Sequence, residues 1–327
     1  NVTTMAGMFN EAEKLSYADV RHFNTSNVTN MNGMFRFTPL LTTVDVSHFD
    51  TSKLEGSIES MFSKNGATEL DLSAFDTSRI TVMRNLFLHN TAITTIYASD
   101  QFVTTLVPNV LDSTDGHNLF SDTPNLVGGA GTTYTGARHT DYARIDDPCN
   151  GRPGFFTLKN SQYICFYAND GSNTTAGQYI SANTSTALRA NTFTRDEYDL
   201  VGWNTAADGT GEFTFEDTES IMVSSEYISE HFKTPVKLYA QWKRKSHTIT
   251  FHANMDGVTG EMATQSVTHG TSPWLRANTY AKDHWRFLGW TTEPSENIIG
   301  DGDLTAIDYA NNATIRNVTA YIDLYAK

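Results

Sequence analysis

The stretch "FDTS" at residues 49–52 returns at residues 75–78, and a close variant, "FNTS", stands at residues 23–26. The dipeptide "MF" follows the same interval. It occurs at residues 8–9, 34–35 and 61–62, and as "LF" at 86–87 and 119–120. A period of roughly 26 residues is typical of arrays in which units too small to bury their own apolar face stack on one another.

Each unit contains two patterns of apolar residues. Val44-Asp45-Val46 and Leu70-Asp71-Leu72 alternate, which predicts a strand with one face inward. The "FDTS" corner follows, and its serine is a candidate helix cap; these serines are Ser26, Ser52 and Ser78. The apolar residues after it recur at helical spacing: Val28, Met31, Met34 and Phe35, and again Ile80, Met83, Leu86 and Phe87. The pattern predicts an α/β solenoid with one short strand and one short helix in each coil.

The composition bounds the class of protein. The chain has 327 residues and a net charge of −14, which argues against binding to nucleic acid or to anionic lipid. No apolar run approaches the roughly 18 residues that a membrane span needs, so we expect no membrane insertion. The first residues already lie inside a repeat, and we therefore expect the chain to be part of a longer protein.

The only cysteines are Cys149 and Cys165. A disulfide between them would close a loop of 16 residues, and two unpaired thiols are the alternative. The sequence does not choose between the two.

A second, longer repeat occupies the C-terminal half. "LRANTFTRDEYDLVGW" at residues 188–203 matches "LRANTYAKDHWRFLGW" at 275–290, and "ICFYAND" at 164–170 matches "ITFHANM" at 249–255. These pairs predict two copies of one small strand-rich domain, so three parts are expected. They are the N-terminal array with its cap at residues 1–160, a first repeat at 161–244 and a second at 245–327.

Both halves resemble known families. "NVTNMNGMF" and "VDVSHFDTS" resemble BspA-type leucine-rich repeats of bacterial surface proteins, although this chain lacks the cysteine that often follows "MF". The C-terminal pair resembles the Listeria–Bacteroides repeat, related to the B repeat of internalin B. The resemblance implies a β-grasp-like fold of α+β type, and places Trp203, Trp242 and Trp290 in the core. It also implies an extracellular protein of the bacterial cell surface, anchored outside this stretch.

No motif for catalysis, a cofactor or a metal stands out. The chain has no C-x-x-C, H-E-x-x-H, phosphate-binding glycine loop or G-x-S-x-G. The acidic pairs Asp146-Asp147 and Glu216-Asp217 are sequence neighbours, which point to opposite faces of a strand. His22 and His48 share a repeat position, but two histidines make a poor metal site. We therefore expect no enzyme, no cofactor and no metal.

The outward side chains of the strands are the candidate binding residues. Asp19, Asp45 and Asp71 share one register with Tyr97, and such a row of like charges invites a cation, a basic partner or hydrogen-bond donors. The flanking positions vary from unit to unit, as suits recognition on a repeated face. The eleven residues of this strand face are Tyr17, Asp19, Arg21, Thr43, Asp45, Ser47, Glu69, Asp71, Ser73, Thr95 and Tyr97.

Three functions are compatible with these patterns. The first is a non-enzymatic adhesin that binds a host extracellular protein or glycan through the strand face, with the C-terminal repeats as a stalk. The second is a purely structural spacer of a larger surface protein. The third, an enzyme such as a surface glycan hydrolase, lacks a suitable pair of carboxylates. The sequence leaves the ligand and the oligomeric state open.

Overall fold

A computed structural model describes residues 2–107, 118–136, 140–294 and 307–327. The chain forms two compact units. The first contains Asn1–Thr192 and Gly202–Ala240, and the second contains Phe193–Val201 and Gln241–Lys327. The predicted boundaries at residues 160/161 and 244/245 stay predictions.

Backbone hydrogen bonds join equivalent positions of successive N-terminal repeats. Phe35 N–H donates to the carbonyl of Met61 at 2.9 Å, and Phe62 N–H donates to that of Leu86 at 3.1 Å. The phenylalanines of the "MF" position stack in one column, in which neighbouring ring centroids lie 5.3 to 6.2 Å apart; its members are Phe9, Phe35, Phe62, Phe87 and Phe120. Each repeat therefore donates backbone hydrogen bonds to the next repeat and packs its phenylalanine against that of the next repeat.

The threonine of each "FDTS" corner links one repeat to the following one. The hydroxyl of Thr25 accepts from the N–H of Asp50, and that of Thr51 accepts from the N–H of Asp76, both at 2.7 Å. The hydroxyl of Thr77 likewise accepts from the N–H of Val103 at 2.7 Å. All three threonines are buried, so water cannot replace these hydrogen bonds to the backbone N–H groups. Sequence reasoning stressed the serine of the motif and missed the threonine.

The predicted α/β leucine-rich repeat solenoid is wrong. The structure is rich in β-structure, its larger sheets are mixed, and its only α-helix among the described residues, α1 (Ser225–Glu230), lies outside the N-terminal repeats. The apolar stripe is buried as predicted, but its residues lie in consecutive turns and, for Ile80, in a short strand. Ser26, Ser52 and Ser78 therefore cap no helix; each donates its N–H to the side chain two positions before it.

Positive φ angles explain why these residues do not form helices. Two residues four positions apart have positive φ in each turn; the pairs are Gly7 and Glu11, Gly33 and Phe37, Ser60 and Lys64, and Asn85 and His89. A right-handed helix requires negative φ throughout. Every second N–H group of such a segment bonds to the next repeat, as those of Gly33, Phe35 and Phe37 do, and the N–H groups between them bond within the turn. Apolar spacing alone could not distinguish this structure from a helix.

Short parallel strands complete the N-terminal region. They are β1 (Gly56–Ser57), β2 (Glu69–Leu72), β3 (Ile80–Val82), β4 (Thr95–Ala98) and β5 (Phe156–Thr157). Strand β1 pairs with β3, and β2, β4 and β5 form a parallel sheet in that order. Two 3₁₀ turns, Thr140–Tyr142 and Pro148–Asn150, lie between β4 and β5.

A buried carboxylate organises the end of the N-terminal region. Asp146 is fully buried and accepts four hydrogen bonds, from the N–H groups of Ala130, Thr132 and Gly154 and from the Thr132 hydroxyl. Gly128 must be glycine here, because a Cβ atom would lie 2.2 Å from the Gly154 carbonyl oxygen. Asp146 is therefore a structural residue, which removes it from any acid–base pair.

The strands of the first C-terminal repeat are β6 (Ser161–Tyr167), β7 (Thr175–Ser181), β8 (Thr186–Ala187), β9 (Tyr198–Asn204), β10 (Thr214–Phe215), β11 (Ser220–Ile221) and β12 (Val236–Arg244). Five of them form a mixed sheet in the order β10-β9-β12-β6-β7. Strands β6 and β12 are parallel, whereas β6–β7 and β9–β10 are antiparallel. The short strands β8 and β11 pair with each other.

The second repeat contains a mixed four-stranded sheet in the order β14-β13-β16-β15. Its strands are β13 (Ser246–His252), β14 (Gln265–Thr268), β15 (Trp290–Thr291) and β16 (Ile322–Ala326). No α-helix occurs in its described residues, 245–294 and 307–327.

Each C-terminal repeat has its own core, and the two cores contain equivalent residues. Trp203 and Trp290 are both buried, and each ring lies 4.9 Å from a phenylalanine on the repeat's first strand, Phe166 and Phe251 respectively. The predicted core position of these two tryptophans is confirmed, whereas Trp242 is only half-buried. Equivalent tryptophans in equivalent contacts agree with two copies of one domain.

Replacement of Asp146 by asparagine should destabilise the first unit by about 3 kcal/mol, because an amide N–H₂ would then face backbone N–H donors. Urea unfolding measures the effect. Asp256→Asn, at an exposed aspartate, is the matched control and should change stability by less than about 0.5 kcal/mol. Equal stability of the two variants would show that Asp146 does not organise this region.

Cys149 and Cys165 are disulfide-bonded in the structure, with their Cα atoms 5.7 Å apart. Reduction should lower the unfolding free energy by about 3 kcal/mol, because the unfolded chain regains the freedom of the closed loop. Urea unfolding with and without reductant measures this, and the Cys149→Ser/Cys165→Ser double variant should not respond. A mass that does not rise by two hydrogens on reduction would contradict the bond.

Candidate ligand-binding face

The structure brings the central residues of the strand face into register. Asp71 on β2 lies opposite Tyr97 on β4, and Glu69 lies opposite Thr95. A bridge between Val44 and Leu70 places Asp45 beside Asp71. The strand-face residues of successive repeats are therefore neighbours on one surface.

Hydrogen bonds within each repeat satisfy the aspartates of the face. Asp45 accepts from the N–H and the hydroxyl of Ser47, and Asp71 accepts from the same groups of Ser73. The Ser47 hydroxyl, against the opposing effect of burial, holds the pKa of Asp45 below its ordinary value. The donors that the row of carboxylates requires are thus supplied locally, and no group of residues in the described parts of the chain could hold a metal ion.

Asp19 is held by a different donor. Its two carboxylate oxygens accept from Nε and Nη2 of Arg21 at 2.9 and 2.8 Å, a bidentate ion pair. The hydrogen bonds from Arg21 keep the pKa of Asp19 far below its ordinary range. The pair is exposed, so it presents a fixed guanidinium to solvent.

At the β2–β4 end of the face, Asp71 and Tyr97 contact other parts of the same unit. Lys159 Nζ lies 2.5 Å from Asp71 Oδ2, and 5.8 Å from the ring centroid of Tyr97. The ring centroids of Tyr97 and Phe232 lie 6.4 Å apart. Sequence reasoning missed these contacts because they join residues far apart in the chain.

Lys233 contacts the same end of the strand face. Its Nζ donates to the Thr94 carbonyl at 2.7 Å and to the Thr95 hydroxyl at 2.9 Å, and Thr95 is buried. Burial of the ammonium lowers the pKa of Lys233 to about 8, despite the opposing charge of Glu69. The neutral amine still has two N–H groups for its two acceptors.

The open part of the face lies toward the N-terminus. Tyr17 is 66% exposed, and Asp19, Arg21, Thr43 and Asp45 are exposed as well. Ser47 is half-buried. This part offers an aromatic ring, a fixed ion pair and hydroxyl groups on one surface.

The second acidic residue of the Asp146-Asp147 pair is also engaged. Asp147 Oδ1 accepts from the Tyr163 hydroxyl at 2.6 Å and from the Asn150 amide at 2.8 Å. Burial and the Asp147 bond raise the pKa of Tyr163. Both carboxylates of the pair thus serve the packing of the unit.

Two family comparisons match separate parts of the chain. Residues 1–107 match the family described as "Mycoplasma protein of unknown function, DUF285". Residues 163–228 and 247–327 match the Listeria–Bacteroides repeat domain. The predicted resemblance of the C-terminal half is confirmed, whereas the leucine-rich repeat type of the N-terminal half is not among the matches.

One curated relative is a protein of Evansella cellulosilytica that bears the provisional name of a Gly-rich membrane protein. It is 33% identical over 135 residues, which cover 41% of this chain and 14% of the relative. The chain therefore spans a small part of that protein. No solved structure matches the chain.

Together these matches indicate a bacterial surface protein, located at the cell surface or outside the cell. Within the residues that the structure describes, no helix is long and apolar enough to cross a membrane.

The stability of the first unit should depend on pH through Lys233. Between the folded pKa of about 8 and the ordinary value of 10.5, the folded chain has lost a proton that the unfolded chain keeps. Stability therefore rises with pH in this window. The rise should be absent in Lys233→Met. The free energy of unfolding of the wild type relative to that of the variant should therefore increase with pH.

Urea unfolding of wild type and variant at several pH values in this window measures the difference. Lys237→Met, at an exposed lysine on β12, is the control and should give a constant difference. A constant difference for Lys233→Met as well would show that the lysine keeps its ordinary proton affinity in the fold.

Proposed function

We propose that the chain is part of a non-enzymatic bacterial adhesin. It binds a host extracellular protein or glycan through the open part of the strand face. The residues that make the contact are Tyr17, Asp19, Arg21, Thr43, Asp45 and Ser47. Of the other strand-face residues, Asp71, Thr95 and Tyr97 contact distant parts of the same unit through Lys159, Lys233 and Phe232. Glu69 is exposed and Ser73 is half-buried.

The exposed Tyr17 next to the Asp19–Arg21 ion pair is the observation that carries this proposal. Tyrosine and arginine are enriched among the residues that dominate binding energy at interfaces. The bidentate ion pair fixes the guanidinium before a partner arrives, which reduces the entropy lost on binding. The net charge of −14 favours basic or neutral partners at long range.

The contacts of Lys159 and Lys233 favour a second candidate function. Side chains that tie Asp71 and Thr95 to other parts of the same unit suit a rigid spacer, in which the strand face serves the array and binds no partner. Under this alternative the binding domain of the whole protein lies outside this chain.

Binding of the full chain to immobilised host extracellular proteins and glycans tests the proposal. Tyr17→Ala should weaken saturable binding by about tenfold, which corresponds to about 1.4 kcal/mol, and Asp45→Lys should weaken it further by reversing a charge on the face. Tyr321→Ala, at a tyrosine that is 57% exposed in the second unit, is the matched control and should bind as the wild type does. Binding that neither strand-face variant alters, or the absence of saturable binding, would favour the spacer.

A further inference from the structure

A second candidate surface lies in the first C-terminal repeat. A groove of about 380 Å³ is lined mainly by apolar side chains. Ile164 on β6 and Val236 on β12, which are partners in the sheet, lie beside Phe213 and Phe215 at β10. Met222 and Tyr227 line it from the segment that follows β11. We call this surface the apolar groove.

The groove residues are unusually exposed for their type. Met222 is 69% exposed, Phe213 is 54% exposed and Tyr227 is 37% exposed. Large apolar side chains gathered around a concave surface mark an interaction site more often than scattered ones do. Methionine has a flexible and polarisable side chain that adapts to different partners.

The surrounding sequence is strongly acidic. From residue 202 to residue 232, a segment of the same unit as the groove, the chain has no lysine and no arginine. Glu212 and Glu216 flank the two phenylalanines, and Glu226 precedes Tyr227; all three are exposed. Their carboxylates make no hydrogen bond or ion pair within the described parts of the chain. The remaining acidic residues of this segment are Asp208, Asp217, Glu219 and Glu230.

We propose that the apolar groove binds a basic amphipathic segment of a partner protein. Two large apolar side chains of the partner fill the groove, and lysines or arginines beside them face Glu212, Glu216 and Glu226. The charge of the segment selects this occupant. A second copy of the chain would bring the same acidic surface, and an anionic membrane would be repelled, because like charges that face each other oppose association.

This inference goes beyond the adhesin proposal, because it assigns a binding site to a repeat that would otherwise serve as a stalk. It also rests on different residues. Tyr17→Ala should leave binding at the apolar groove unchanged, and a failure of either proposal can therefore be recognised without the other.

Fluorescence anisotropy with the full chain and two matched sets of labelled synthetic peptides tests the groove. Both sets have the same pairs of tryptophan, leucine or phenylalanine at the centre; one set is flanked by lysines and the other by glutamates. Members of the lysine set should bind at least about tenfold more tightly than their glutamate counterparts. Their affinity should fall as salt is raised from about 0.05 M to about 0.5 M, because salt screens the exposed charges.

Two variants place the binding site. Met222→Ser should weaken the lysine peptides by about tenfold, and Glu212→Gln/Glu226→Gln should reduce the salt dependence. Met222 is exposed, so its replacement should leave thermal unfolding unchanged. Leu40→Ser, at a leucine that is 54% exposed in the N-terminal array, is the control and should bind as the wild type does.

Three outcomes would overturn the proposal. They are the absence of binding by every lysine peptide, equal affinity for the two peptide sets, and binding that Met222→Ser does not alter. Self-association of the chain that Met222→Ser abolishes, without binding of the lysine peptides, would assign the groove to a second copy and would also overturn it.

Discussion

The need to satisfy the backbone of very short repeats governs the N-terminal half. A repeat of roughly 26 residues cannot pair all its own N–H groups or bury its own phenylalanine, so the next repeat supplies the acceptors and the packing surface. The bond from Phe35 N–H to the Met61 carbonyl and the stacked rings of Phe35 and Phe62 are two expressions of this constraint. The buried threonine of each "FDTS" corner adds a third link. Because each repeat depends on its neighbour, the motif recurs wherever the chain must make the same corner.

The sequence predicted the position of the core better than the shape of the backbone. Met34 and Phe35 are buried as their spacing predicts, and Trp203 and Trp290 are equivalent core residues of two related domains. The predicted helices failed because apolar residues at i, i+3 and i+7 suit consecutive turns as well as a helix. The deciding feature is the positive φ at positions such as Phe37, where no glycine or asparagine warns of it.

The strand face shows the same division between local and distant information. Its register followed from the repeat, and Asp71 does lie opposite Tyr97. Local spacing gave no sign that Lys159 and Lys233, which come much later in the chain, would cover one end of the face. An array that binds through variable outward residues must leave some of them uncovered, and the open part around Tyr17 meets this requirement. The cover at the other end joins the array to the repeat that follows it.

The order of strands in the C-terminal repeats has a consequence for mechanical load. In the first repeat the opening strand β6 lies beside the closing strand β12 and runs parallel to it, and β13 and β16 repeat this arrangement in the second. A pull that separates the two ends of such a domain drives the paired strands past each other along their length. All hydrogen bonds between them then carry the force together, whereas an antiparallel hairpin pulled from its open end would release its bonds one after another. A surface protein that resists flow through these repeats would therefore yield in large, abrupt steps, one for each repeat.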